Sequence, residues 1–342
     1  MKLRLLFYPL TILSVVCTAD VKAKAETVEQ FYSGRQVTLR VGFPVGAAYD
    51  IYARLVSRHL DRHIPGRPTI VVTNQPGAAS LIATNTLANV VPKDGSVIGA
   101  VFERVALEPL VNPANAKFDG RKLSWLGSVL NVTDVCMFWH TAPAQTIEEA
   151  KRTEVVVGSA GDGGNSVIAP RVLNTFLGTK LKIVTGYGGP GLFLAMERGE
   201  THARCGMSWA GLKAARPEWV ATGKVRIVMQ MAMQKHHELQ SVPNIMDLVT
   251  NPDDRAALEF LYATQEMGRP FLAPPGVPED RVEALRRAFD DTMRDPVFLE
   301  DARKSNQEIS AISGARVQQI VERLYKTPRS VIEKVEAIRR SK

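Results

Sequence analysis

The sequence predicts an α/β protein of two lobes, each built on its own sheet. Three observations carry that prediction. Short β-branched runs alternate with amphipathic segments along most of the chain. A length of 342 residues is enough for two hydrophobic cores. Loops of glycine, alanine and proline follow strands in both halves. Composition agrees, since 45% hydrophobic and 23% charged residues exclude a disordered, collagen-like or disulfide-stapled chain.

In chain order, residues 1–25 stand apart from this pattern. Met1-Lys2-Leu3-Arg4 is a basic start, Leu5 to Cys17 is mainly apolar, and Ala23-Lys24-Ala25 offers small residues at a cleavage site before Glu26. This reads as a signal peptide cleaved near Ala25, with a cut after Ala19 or an uncleaved amphipathic anchor as the alternatives. Its apolar stretch is short for a membrane span, and the bulk of Val16 argues against lipid attachment at Cys17. Lys2, Arg4, Lys22 and Lys24 against Asp20 give the segment +3 of the formal +8, leaving +5 without a basic run. A nucleic acid partner is therefore not expected. The expectation is an exported, periplasmic protein, in which Cys136 and Cys205 either pair or remain two buried thiols.

Residues 37–43 read as the first strand. A helix follows with Ile51, Tyr52, Leu55, Val56 and Leu60 on one stripe and Arg54, Arg58 and Asp61 opposite. Residues 69–73 and 97–102 read as strands two and three, with a helix between them. The theme repeats in strands over 155–157, 181–185 and 225–229. The Pro-rich stretch from Pro270 to Pro278 reads as a crossing between domains. Beyond it the chain is helical: Val282, Leu285, Phe289 and Met293 form a stripe, and Asp295-Pro296 and Thr327-Pro328 each offer an N-cap followed by proline.

Four loops carry the functional signal. They are Phe43-Pro44-Val45-Gly46-Ala47-Ala48-Tyr49-Asp50, then Gly77-Ala78-Ala79-Ser80, then Ser159 through Gly161, Asp162, Gly163 and Gly164 to Asn165, and last Tyr187-Gly188-Gly189. In open α/β sheets ligands bind at the carboxyl ends of strands, where helix N-termini direct N–H groups outward. Small residues let a ligand approach that backbone. Two such loops in each half suggest two lobes gripping one small anion. The loops are neutral and offer no clamping arginine, which suits carboxylate capture by N–H groups.

Single residues leave alternatives open. Asp50 either caps its helix or faces the ligand, where it would attract an ammonium group; Asp162 poses the same question. Tyr187 reaches the ligand or lies on the surface, and Trp209 is core or an aromatic cleft wall. His59 and His63 have a zinc-compatible spacing but no third ligand, so a solvated face beside Arg58 and Arg62 is expected. Gly186-x-Gly188-x-x-Gly191 formally matches a dinucleotide fingerprint but lacks the following strand with its acid. Gly206-Met207-Ser208-Trp209-Ala210 approaches a nucleophile elbow, with His236 and His237 as candidate bases, yet no ordered triad emerges.

The loop motifs resemble those of the tripartite tricarboxylate transporter substrate-binding proteins, the Bug family. Phe43 to Asp50 is similar to the first loop, Asn74-Gln75-Pro76-Gly77-Ala78-Ala79 to the second, and Pro92-Lys93-Asp94-Gly95 to the element before the third strand. Gly158-Ser159-x-Gly161-x-Gly163 and Gly186-Tyr187-Gly188-Gly189 are similar to the second-lobe loops. Ser241-Val242-Pro243 and Ala273-Pro274-Pro275-Gly276-Val277-Pro278 are similar to the late elements. The likeness runs from about residue 36 to 325. It departs at Ala47, Ala48 and Ala79, which replace glycines, and at His202, where an aspartate is common.

The resemblance implies a two-lobed, type II-like periplasmic binding-protein fold, with mixed sheets flanked by helices and a two-segment hinge. The implied division is 26–125 plus 266–342 for the first lobe and 126–265 for the second. It implies a monomer that captures a small carboxylate, a dicarboxylate or aromatic acid before an amino acid, and passes it to integral membrane permease subunits. Neither cofactor nor metal is implied. Presentation of the ligand to a membrane sensor kinase, or a secreted hydrolase using Ser208, are the rival readings.

Overall fold

The computed structural model describes residues 26–161 and 164–341; the expected signal peptide, with Ala25, lies outside them. Eleven strands are present among these residues: β1 Gln36–Val41, β2 Thr69–Asn74, β3 Val97–Ala100, β4 Ser124–Ser128, β5 Asp134–Trp139, β6 Val155–Gly158, β7 Leu181–Val184, β8 Ala203–Ser208, β9 Val225–Met231, β10 Pro270–Ala273 and β11 Ile312–Ser313. They form two mixed sheets, in the orders β11-β4-β10-β3-β1-β2 and β7-β6-β8-β5-β9. β1 pairs in parallel with β2 and β3, and β6 with β7 and β8, as expected of strand–helix–strand units. β10, β4 and β11 extend the first sheet antiparallel, while β5 and β9 extend the second. No helix among the described residues is long and apolar enough to cross a membrane.

The chain leaves the first sheet after Ser128 and enters the second at Asp134, so the boundary expected between residues 125 and 126 falls within β4. It returns just before Pro270, so the Pro-rich stretch read as a crossing opens instead on strand β10, inside the first sheet. The two crossings run side by side. Val132 N–H donates to Gln265 O at 2.9 Å, Gly268 N–H to Leu130 O at 2.9 Å, and Val129 N–H to Arg269 O at 3.2 Å. Gly268 is required for this approach, because a Cβ there would lie 2.0 Å from Val132 Cγ2.

Helix faces follow the apolar spacing with informative exceptions. Helix Glu279–Arg294 buries Val282, Leu285, Phe289 and Met293, and Asp295 caps helix Pro296–Lys304 by accepting from Val297 N–H at 2.8 Å. Thr327 does not cap; Pro328 precedes helix Arg329–Arg340 instead. That last helix, expected with the first lobe, packs on helices Asn165–Leu177 and Pro252–Tyr262. In helix Ala48–Leu60 the stripe Tyr52, Leu55, Val56 and Leu60 is buried, but Ile51 is 41% exposed.

The histidine face of that helix is a seam rather than a solvated surface. His59 is 5% exposed. Its Nε2 lies 2.8 Å from Asp301 Oδ2, which Arg58 meets at 2.9 Å, while His63 and Arg62 meet Asp295 Oδ2 at 3.1 and 3.3 Å. Helix Pro296–Lys304 covers this face and brings both aspartates to it.

The apolar core is continuous across the junction: Trp125 and Leu272 of the first sheet share a cluster with Phe138, Val157 and Met229 of the second. In the same cluster Cys136 and Cys205 are opposite each other on antiparallel neighbours β5 and β8 and form a disulfide. The bond closes a loop of 69 residues. We expect replacement of both cysteines by alanine to lower unfolding free energy by about 2–4 kcal/mol. Urea denaturation of the chain lacking residues 1–25 measures this.

Candidate functional site

Two strand ends of the first sheet are tied together by one serine. Ser80 Oγ donates to Gly42 O at 3.1 Å, beyond β1, and accepts from Phe102 N–H at 3.1 Å, beyond β3. Only glycine fits at position 42, since a Cβ there would sit 2.2 Å from Ser80 Oγ. The first loop therefore starts from a fixed point. Phe43 stacks on Tyr49 at 4.2 Å, and Phe102 packs edge-on against both rings at 6.0 and 5.8 Å. Pro44, Val45 and Gly46 form an exposed tip, while Ala47 and Ala48 are half-buried.

Asp50 is buried in the first turn of helix Ala48–Leu60, whose N-cap Ala47 has no side-chain cap, and its carboxylate is bonded within the protein. Oδ2 accepts from Gly46 N–H at 2.8 Å and Arg54 Nε at 2.9 Å, and Oδ1 accepts from Asn74 Nδ2 at 2.8 Å. Burial works against its charge, but these bonds from Arg54, Asn74 and Gly46 outweigh it and hold the pKa below the ordinary value. The first-turn N–H groups of this helix keep no main-chain acceptor, as at any helix start.

In the second loop Ala78, Ala79 and Ser80 have φ of 45°, 50° and 71°. Three consecutive left-handed residues with Cβ atoms are strained. Pro76 and Ala78 are exposed, Gly77 and Ala79 half-buried.

The second-lobe loops are braced internally. Ser159 Oγ lies 2.9 Å from Ser166 Oγ, which also accepts from Ala160 N–H at 3.2 Å. Tyr187 is half-buried and its N–H donates to Ser159 O at 3.2 Å; Gly188 and Gly189 are exposed. Gly161 is half-buried, whereas Asp162 and Gly163 lie outside the described residues. Gly164 precedes helix Asn165–Leu177. Trp209 is 6% exposed, with Nε1 2.5 Å from Glu238 Oε2 in the second-lobe core.

A charged cluster that no loop motif signals joins the two sets of loops. Tyr49 OH donates to Glu103 Oε2, and the Arg269 guanidinium lies 4.1 Å from the Tyr49 ring centroid. From the other lobe Asn165 Nδ2 donates to Asp134 Oδ2 at 2.7 Å, and Gln265 Nε2 reaches the same oxygen at 3.5 Å. Glu103, Asp134, Gln265 and Arg269 are each 5% exposed or less. Burial pushes Glu103 up to about 7, opposed by Arg269 and reinforced by Asp134. Burial likewise pushes Asp134 up to about 6, against Arg269. For Arg269 burial disfavours the charge, yet Tyr49, Glu103 and Asp134 together hold its pKa above the ordinary value. The sequence signal for this cluster is a charged residue inside an apolar run, as in Val101-Phe102-Glu103-Arg104-Val105 and Val132-Thr133-Asp134-Val135.

The hydrolase reading finds no support in geometry. Ser208 Oγ accepts from Gly211 N–H at 3.2 Å as the cap of helix Trp209–Ala215. His236 lines the same small cavity, but its Nδ1 accepts from Glu238 N–H at 3.2 Å and its Nε2 faces Glu308 at 4.0 Å. Among the described residues no hydrogen bond joins Ser208 to either histidine.

The family model described as "Tripartite tricarboxylate transporter family receptor" matches residues 53–337. A UPF0065 protein of Bordetella bronchiseptica is 23% identical over 296 residues, 83% of each chain. The periplasmic binding protein BugD superposes with TM-score 0.69 at 19% identity, covering 89% of this chain and 98% of that one. An R. palustris protein solved with adipate gives 0.68 at 20% identity, covering 89% and 97%. A Rhodopseudomonas palustris protein solved with malate gives 0.64 at 19%, covering 89% and 99%.

Two outcomes follow from the site. Ala79 has left-handed φ, so Ala79→Gly should raise stability by about 1 kcal/mol in a denaturant titration. Glu103 holds its proton more tightly folded than unfolded, so stability should fall as pH rises from 4.5 towards about 7. Melting temperature across that window should decline, and Glu103→Gln should reduce the decline, most clearly between pH 6 and 7, above the range in which Asp134 contributes.

Proposed function

Because the chain belongs to the tripartite tricarboxylate transporter receptor family, we propose that it is an exported periplasmic receptor for a small carboxylate. On this reading residues 1–25 are removed, and the ligand docks on the N–H groups of the loops 43–50 and 77–80. The loops 159–165 and 187–189 then close over it, and the loaded form engages integral membrane permease subunits. We take the lobes to divide at the paired crossings, so closure bends residues 129–133 and 263–269 together. The ligand drives closure by binding the closed form better than the open one.

One observation carries the proposal. Candidate loops of both lobes reach a single buried cluster, Tyr49 to Glu103 and Arg269 on one side and Asn165 to Asp134 on the other. The adipate and malate found with two structural neighbours fit the same ligand chemistry. Helix N-termini and loop N–H groups bind carboxylates without a side-chain cation.

The test is a melting-temperature panel on the chain lacking residues 1–25. At least one dicarboxylate or aromatic carboxylate should raise the midpoint, since ligand at a hundred times its dissociation constant adds about 2.7 kcal/mol. No response to any acid, with a response to neutral sugars or metal ions, would remove the proposal.

A further inference from the structure

Beside the outgoing crossing, elements of both sheets enclose a cavity of about 10 Å³, room for one water molecule. Val132 and Thr133 of the crossing line it, with Ser208 and Trp209 at the end of β8, His236 beyond β9 and Glu308 ahead of β11. The contacts around it join the two sides. Trp209 N–H donates to Thr133 O at 2.8 Å, and Ala210 packs on the core under the first sheet. Glu308 O in turn accepts from Tyr52 OH at 3.0 Å, in helix Ala48–Leu60.

The contacts of His236 fix where its proton lies. Nδ1 accepts from Glu238 N–H at 3.2 Å, capping the turn His237–Leu239, so the neutral ring carries its proton on Nε2. Nε2 faces Glu308 Oε1 at 4.0 Å. A second proton must go to Nδ1, where it points at the Glu238 N–H, and two donors cannot share that bond. Charging the ring therefore breaks the cap. Glu238 Oε2, 4.0 Å from Nδ1, is then the acceptor for the new proton. That oxygen already takes Trp209 Nε1 and Lys213 Nζ, both at 2.5 Å. The His237 ring stacks on His236 at 4.3 Å.

Burial disfavours the charged ring, and His237 and Lys213 add to this. Glu308 and Glu238 oppose it, and the balance lowers the pKa. The folded chain thus binds this proton less well than the unfolded one. Its contribution to stability is fully present above pH 6.5 and is lost as pH falls from there towards the lowered value.

We propose that His236 is an acid-released latch on the junction between the two sheets. Neutral, it caps the turn that holds Glu238 against the Trp209 indole. Protonated, it drops the cap, draws Glu238 away from Trp209 and loosens the Trp209–Thr133 contact. The device goes beyond the receptor reading and does not depend on it, since no ligand takes part. A protein so built holds its two halves together more firmly at neutral pH than in acid.

The experiment uses the chain lacking residues 1–25, titrated from about pH 8 to about pH 5. Long-range proton–nitrogen NMR of the histidine rings gives tautomer and midpoint, and hydrogen exchange read by mass spectrometry gives local protection. The His236 signal, assigned by its loss in His236→Asn, should show the Nε2–H tautomer and a midpoint below 6.5. Protection in peptides covering Glu238 and Trp209, corrected for the intrinsic rate, should fall about fivefold through that midpoint, as loss of one hydrogen bond implies. His236→Asn keeps a capping oxygen without a titrating ring and should keep its protection. Glu308→Gln should move the His236 midpoint to lower pH, and His237→Gln to higher pH. A Nδ1–H tautomer, a midpoint at or above 6.5, or an equal fall in folded His236→Asn overturns the latch. So do midpoints that fail to move in these directions, and protection at Trp209 that stays level while His236 titrates.

Discussion

The antiparallel pairing of the two interlobe crossings is the constraint on which the site depends. Gly268 lets residues 129–132 and 265–269 lie at hydrogen-bonding distance, with Val129 and Val132 donating to Arg269 and Gln265 and Gly268 returning a bond to Leu130. Several members of the buried polar cluster are placed by that pair. Gln265, in the short helix Ala263–Met267, and Arg269 belong to the returning crossing, and Asp134 opens β5 directly after the outgoing one. Ser310 joins the arrangement, donating through its N–H to Val129 O at 3.0 Å and accepting from Asn131 N–H at 2.8 Å. The two crossings are thus bonded to each other rather than a pair of loose linkers, and the buried acids and Arg269 sit on or beside them.

That set explains how so much charge is tolerated inside. An isolated buried charge is strongly disfavoured, whereas compensated charges persist with shifted titration. Glu103 and Asp134 each pay for burial with a raised pKa, while Arg269, facing both together with Tyr49, keeps its proton more firmly than in water. The Tyr49 ring, sandwiched between Phe43 and the Arg269 guanidinium, couples the loop-one helix to the hinge. On the proposed function, a ligand at the first turn of that helix would act on the crossings through this ring.

Much of the fold was legible because it is periodic. The strands β1, β2, β3, β6, β7 and β9 and the stripe Val282, Leu285, Phe289 and Met293 follow from apolar spacing alone. β4, β5, β8 and β10 do not. Ser124-Trp125-Leu126-Gly127-Ser128 and Ala203-Arg204-Cys205-Gly206-Met207-Ser208 mix small and polar residues, and β5 is buried at every position, without alternation. β10 begins with proline, which reads as a break until antiparallel neighbours are known. Among site residues, the loops were visible by their small side chains. Glu103, Asp134, Gln265 and Arg269 were not, because their meaning lies in a juxtaposition of distant segments. Ala79 shows the converse: a methyl group where the resemblance expects glycine has its physical consequence in a left-handed φ of 50°.

The second lobe is braced on the side that the hinge moves. The Cys136–Cys205 disulfide joins β5 to β8 just beyond Asp134. Gly206, with φ of 71°, follows in β8, and a Cβ there would lie 2.2 Å from Asn165 O. Helix Asn165–Leu177 therefore starts hard against the disulfide-linked pair, and Asn165 reaches Asp134 from a fixed origin. A bend at residues 129–133 cannot be absorbed within this sheet. On the proposed closure it would be passed on to the Asn165–Asp134 contact and the loops beside it, so that closing the lobes and completing the proposed ligand site become one motion.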